Sequence, residues 1–138
     1  MTLALRKIRV IDGFGGATEK ATLLIRDGRI AAFGNEGQVS IPRGATSIDG
    51  RGLTVLPGLI DCHVHLGLGG DADVVRTIQA EPPGLTLLKA TRFARLTLEA
   101  GFTTVRDVGY RDHSIFSLKQ GIQAGLLPGP RIRGGCRH

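Results

Sequence analysis

Beyond residue 58 the hydrophobic pattern switches repeatedly between a period of two and a period near 3.6, and that alternation limits the possible folds more than any other feature. Residues 59–65 read as one strand. Residues 86–100, "TLLKATRFARLTLEA", then put Leu87, Thr91, Ala94 and Leu98 on one helical stripe with Lys89, Arg92 and Glu99 opposite, the pattern of a half-buried helix. Gly101 is positioned to end that helix in a left-handed conformation. "FTTVRDVG" at 102–109 is rich in β-branched residues and reads as a second strand. A second amphipathic helix follows at 114–124, with Ile115, Leu118 and Ile122 on one side and Gly125 as its stop, and "GPRI" at 129–132 begins a third strand. The order β-α-β-α-β predicts a parallel sheet with right-handed crossovers, normally buried on both faces. With only two complete βα units, the third strand is an edge, and an uncovered edge invites pairing with another chain.

The first fifty residues follow a different rule: short strands joined by tight turns. "ATLLIRDGRIAAFG" (21–34) sets Asp27-Gly28 between two apolar segments, a dipeptide that supplies the positive φ values of a two-residue hairpin turn. "TSIDGRGLTVLPG" adds a further short strand and turn, closed by Pro57 because proline cannot donate to a sheet ladder. The 21 glycines fit so many turns. At 138 residues, a compact fold buries ~68% of its unfolded surface, enough for a full core.

Several function classes are disfavoured. The formal net charge is +6, but Arg131, Arg133 and Arg137 near the end supply half of it, and elsewhere bases and acids are interleaved without an aromatic stacking set. No nucleic-acid partner is expected from that pattern. Charges interrupt "MTLALRKIRV", and no apolar run approaches the ~18 residues of a span, so neither a signal peptide nor a membrane partner is expected and a cytoplasmic protein is. Cys62 and Cys136 are the only cysteines; no disulfide framework is expected from them, and Cys62 is expected to be a small buried side chain of its strand rather than a ligand or nucleophile.

The segment "LPGLIDCHVHL" (56–66) carries the chemistry. Alternation across a strand puts Asp61, His63 and His65 on one face and Cys62 and Val64 on the other. The two histidine Cα atoms then lie ~6.6 Å apart at a rise of ~3.3 Å per residue. Imidazoles leaning together from such positions can place two nitrogens ~2.0–2.1 Å from one metal ion. They also sit at the C-terminal end of their strand, the end where parallel α/β folds keep their active sites. For Asp61 two roles stand open: bonding the second nitrogen of a ligand histidine, or capping the loop before the metal.

Together with "LPGLID" before it and "LTLEAGFTTVRDVG" and "AGLLPGPRI" after it, this segment resembles the metal-dependent amidohydrolase superfamily, most closely its imidazolonepropionase-like and Xaa-Pro dipeptidase branch. The resemblance runs from "LLIRDGRIAAFG" to about Ile132. It implies an α/β fold: the start of a (β/α)8 TIM-type barrel, with two βα units and a third strand, preceded by part of a small β-sandwich. The corresponding boundaries are 1–55 for the sandwich portion, 56–132 for the first part of the barrel and 133–138 for an irregular basic tail. It also implies that His63 and His65 bind zinc or another divalent metal in a mono- or binuclear centre, while the remaining ligands and the proton-handling aspartate come from later strands. The expected activity is hydrolysis of C–N bonds in a small amide, cyclic amide or dipeptide by metal-activated water. Because a whole barrel takes ~250 residues, the expectation for this chain is an N-terminal part, weak in metal binding and inactive alone. The alternative is a non-catalytic remnant or interaction module that pairs, or forms an oligomer, through its exposed sheet edge.

Other polar residues are weaker candidates. Asp71 and Asp73 lie in a segment, 66–85, that reads as a long loop on the active face, where substrate contacts compete with plain solvation. Arg106 and Asp107 either line the site or form a structural ion pair. His113 lies in the loop after the second strand, and His138 is terminal.

Overall fold

A computed structural model describes residues 1–70, 72–109 and 113–134. Asp71, Cys136, Arg137 and His138 fall outside the described residues, and with them the corresponding sequence expectations. The chain divides into two compact units, Met1–Pro57 and Gly58–His138.

The first unit is one mixed sheet. Its strands are β1 (Thr2–Ile11), β2 (Ala17–Arg26), β3 (Arg29–Asn35), β4 (Thr46–Asp49) and β5 (Thr54–Val55), with β3-β2-β1-β4 as the path and β5 also paired with β1. β1–β2 and β2–β3 are antiparallel, whereas β4 and β5 run parallel to β1. Asp27 and Gly28 both take positive φ, 50° and 75°, between the paired residues Arg26 and Arg29. This is the two-residue hairpin that the dipeptide predicts. The β1–β2 ladder is interrupted twice, on either side of Ile8, where Lys7 and Lys20 adopt φ of 58° and 51°. Ile8, Ala21 and Leu23 form the core of this unit, with Leu5, Val10, Ile25 and Val55 packed around them.

Asp49, at the end of β4, accepts from the backbone N–H of Arg51 at 3.2 Å and from its Nε at 3.1 Å. The backbone bond, and after it the guanidinium, hold its carboxyl below the ordinary value. A depressed carboxylate contributes stability above its unfolded pKa and loses it as pH falls through the folded one. Because the backbone bond is the larger cause, Arg51→Ala is expected to return only part of the shift in an NMR titration of Asp49. Full return to the ordinary midpoint would contradict this assignment.

The second unit is the parallel βαβαβ array. Its elements are β6 (Leu59–Val64), α1 (Val74–Ala80), α2 (Pro83–Glu99), β7 (Phe102–Asp107), α3 (Ser114–Gln123) and β8 (Arg131–Gly134), with sheet order β6-β7-β8. Both ladders are parallel. α2 opens on Pro83, whose missing N–H costs nothing in a first turn. Gly101 and Gly125 follow α2 and α3 at φ of 95° and 72°, the left-handed stops expected. The core joins Leu66, Ala90, Ala94, Val105, Ile115, Leu118 and Ile132.

Four local expectations are corrected. The 66–85 segment is not all loop, since α1 lies inside it, capped by Asp73, whose Oδ1 accepts from Arg76 N at 3.0 Å. Along α2 the buried residues are Thr86, Ala90 and Ala94, so the core-facing stripe keeps Ala94 from the one expected but is rotated away from Leu87, Thr91 and Leu98, which are half-buried. Small side chains at i and i+4 let the helix approach the sheet, and the larger neighbours then pack at the margins. β8 continues through Arg133 and Gly134, which pair with Arg106 and Asp107, two residues beyond the strand expected. Cys62 is exposed rather than buried. The reason is topological: among the described residues β6 terminates the sheet while α2 packs on β7 and α3 on β8, which leaves β6 largely exposed except where Val64 meets the core.

Candidate metal centre at the end of the first parallel strand

β6 delivers its polar residues to the C-terminal end of the sheet, beside the end of β7. Val108 N donates to Val64 O at 3.0 Å, extending the pairing past the strand ends and fixing His63 and His65 against the residues after Asp107. The two imidazole centroids lie 5.5 Å apart, with their planes at 74°. Both histidines are exposed. The two histidines thus lie together, as strand alternation predicts for them.

His65 Nδ1 lies 2.7 Å from the carbonyl oxygen of Gly109. A carbonyl only accepts, so Nδ1 carries the hydrogen of this contact and Nε2 is the nitrogen left to face a metal. Asp61 does not play that part for either ring. Its Oδ1 accepts from the backbone N–H of His63 at 3.0 Å, a local contact within the strand.

Asp107 is buried, with 2% of its surface exposed. Its Oδ2 accepts from Leu66 N at 2.8 Å and its Oδ1 from Gly109 N at 2.9 Å. Arg106, its neighbour, is exposed, as expected where successive strand residues face opposite ways, and forms no ion pair with it among the described residues. The ion pair weighed from sequence is thus replaced by two charge-assisted bonds to backbone. The role of Gly109 escaped sequence reasoning because its contribution is a main-chain carbonyl. A signal for Asp107 was present: it shares the parity of Val105, the fully buried residue of β7, which marks it as an inward-facing acid.

His113 lies outside the β6 segment that carries the pair. It is the N-cap residue of α3, its carbonyl accepts from Phe116 N at 3.0 Å, and its ring lies 5.9 Å from that of Phe116. With Pro83, Gly84, Leu87, Ser114 and Ser117 it lines a shallow depression of about 300 Å³ between the first turns of α2 and α3.

Two imidazoles, one with its tautomer set by a carbonyl, suit zinc or a similar borderline divalent ion. They supply part of a centre. Among the described residues no group of three or more His, Cys, Asp or Glu side chains is arranged to hold a metal, whereas catalytic zinc takes three protein ligands and an open position.

The profile of the amidohydrolase family matches residues 54–136. The imidazolonepropionase of Klebsiella pneumoniae subsp. pneumoniae is 56% identical over 55 residues, which make up 40% of this chain and 13% of that protein. The dihydroorotase of Geobacter sulfurreducens is 39% identical over 87 residues, 61% of this chain and 20% of that enzyme. Among solved structures, a Xaa-Pro dipeptidase with bound methionine in the active site aligns with 99% of this chain and 34% of its own, at 32% identity and a TM-score of 0.84. The chain thus spans a fifth or less of these curated relatives and about a third of that structure.

Proposed function

From the premise that this chain belongs to the amidohydrolase family, we propose that it is the N-terminal part of a metal-dependent hydrolase of C–N bonds, with His63 and His65 as the first two metal ligands. The observation that carries the reading is the convergence of those rings at 5.5 Å, with His65 Nδ1 engaged by Gly109. The substrate class is an amide, cyclic amide or dipeptide, which spans the names of the relatives. The chemistry that a zinc or comparable ion supplies when held there is polarisation of the carbonyl and a water pKa lowered toward ~7. What this chain itself contributes is two imidazole nitrogen donors at the sheet end and the hydrogen bonds that aim one of them. Proton transfer to the leaving nitrogen and the remaining ligands belong, on this reading, to later strands, so the chain alone is inactive.

The same reading takes the protein to be cytoplasmic, with a small-molecule substrate and neither nucleic acid nor membrane as partner. Among the described residues, no helix is long and apolar enough to cross a membrane. The reading is tested by joining this chain to the remaining two-thirds of a Xaa-Pro dipeptidase barrel and assaying Xaa-Pro dipeptides, cyclic amides and imidazolones with zinc. Hydrolysis is expected from the joined protein and not from the chain alone. A folded, metal-loaded hybrid inert toward all three classes would count against it, provided the dipeptidase's own N-terminal third restores activity in the same format.

One observation favours a second reading, that of an interaction module. β6 presents Leu59 and Ile60 at 42% and 65% exposure on a strand with one paired neighbour among the described residues, the kind of edge that recruits another strand. On that reading sedimentation velocity finds a metal-free oligomer that Ile60→Lys converts to monomer.

A further inference from the structure

We propose that Asp107 is a positioning residue for the metal site, setting the tautomer and aim of His65 through the Gly109 backbone; the inference rests on the metal-dependent reading above. The contacts form a closed circuit. His65 Nδ1 donates to Gly109 O at 2.7 Å, Gly109 N donates to Asp107 Oδ1 at 2.9 Å, and Asp107 Oδ2 accepts at 2.8 Å from the N–H of Leu66, the residue bonded to His65. One carboxylate therefore holds both the residue that follows the ligand and the residue that receives the ligand's hydrogen.

The chemistry of the donors explains why a carboxylate occupies this place. Two backbone N–H groups point at one side chain, and only an ionised Asp or Glu offers an acceptor at both oxygens; an amide offers one acceptor and one donor. Burying a charge at 2% exposure is costly unless its bonds are made, and here both oxygens are engaged. Gly109 has φ of 118°, a region open to glycine, so its own torsions do not fix where its carbonyl points. The Asp107 bond to its N–H removes part of that freedom. Outer partners of this kind fix the ring orientation of a ligand histidine, and their loss typically weakens metal binding 10–100-fold.

The test uses the whole chain with ¹⁵N-labelled histidine, at a pH where the imidazoles are neutral, and reads the Nδ1 and Nε2 resonances of His65 with those of His63 as internal reference. The parent is expected to show His65 as the Nδ1–H tautomer. Asp107→Asn is expected to shift His65 toward a mixture of tautomers, leave His63 unchanged, and raise the zinc dissociation constant about 10–100-fold. A merely structural role for Asp107 would lower stability while leaving the tautomer and the zinc affinity of the folded fraction as they were, and that result overturns the proposal. Should the variant not fold, the parent still decides: a dominant Nε2–H form of His65, or rapid exchange of its Nδ1 hydrogen, sinks the circuit. A tautomer shift in a chain that binds no zinc in either form would instead retain the circuit and remove the metal reading.

Discussion

Alanine at both His63 and His65 is expected to abolish specific zinc binding by this chain, raising the dissociation constant by at least about two orders of magnitude in a competition titration. The scale follows from the ligand count. Outer-shell partners alone are worth 10–100-fold, and a directly bonded nitrogen is worth more. Each single variant is expected to lose most of the effect, because one imidazole on an exposed strand holds a divalent ion no better than any surface histidine. His113→Ala is the matched control: it removes an exposed histidine of the same unit that caps α3, and is expected to leave the affinity unchanged. Zinc at 100 times its dissociation constant should also raise the unfolding free energy of the parent by about 2.7 kcal/mol, through binding the folded state alone. The double variant should show no such gain. Equal zinc affinity in parent and double variant would remove the basis for the proposed function.

Leu118→Ala is expected to lower the stability of the second unit by about 2–5 kcal/mol, read from urea unfolding of the whole chain. Leu118 retains 1% exposure within the cluster that joins α2, α3 and the sheet. Truncation removes its transfer energy and leaves a cavity that Ala94, Val105 and Ile132 can only partly fill. Leu126, at 79% exposure just past α3, is the comparison: Leu126→Ala should change stability by no more than about 0.5 kcal/mol. The contrast has a functional consequence, since the Leu118 cluster includes Leu66, whose N–H bonds Asp107 beside the histidine pair. Near-equal effects of the two substitutions would mean that this core does not hold the sheet end in place.

Much of the second unit is legible in its sequence because its elements are specified locally. Gly101 and Gly125 stop helices at the positions their neighbours require, and the β-branched run before Asp107 cannot be mistaken for helix. The Asp27-Gly28 turn is likewise written in two residues that tolerate positive φ. Periodicity fixes the existence of α2, but not its rotation: choosing between the Leu87 stripe and the Thr86–Ala90–Ala94 stripe depends on how closely the sheet lets the helix approach. The helix at Val74–Ala80 was hidden because at seven residues it is too short for a period to emerge, and its clearest local signal is the cap at Asp73.

The sequence by itself determined the order of elements apart from α1, the family to which the chain belongs and the placing of two histidines on one face of a strand, since each depends on residues close together along the chain. Tertiary structure decided the rest. It put Cys62 in the open by leaving β6 at the edge of its sheet, turned Asp61 to its own strand's backbone, and brought Gly109 to the ring of His65 from 44 residues away and Asp107 to the N–H of Leu66 from 41. The physical reason is that a hydrogen bond to a main-chain carbonyl carries no side-chain signature: any residue could supply that oxygen, and only the parallel pairing of β6 with β7 brings this one within 2.7 Å of the ring.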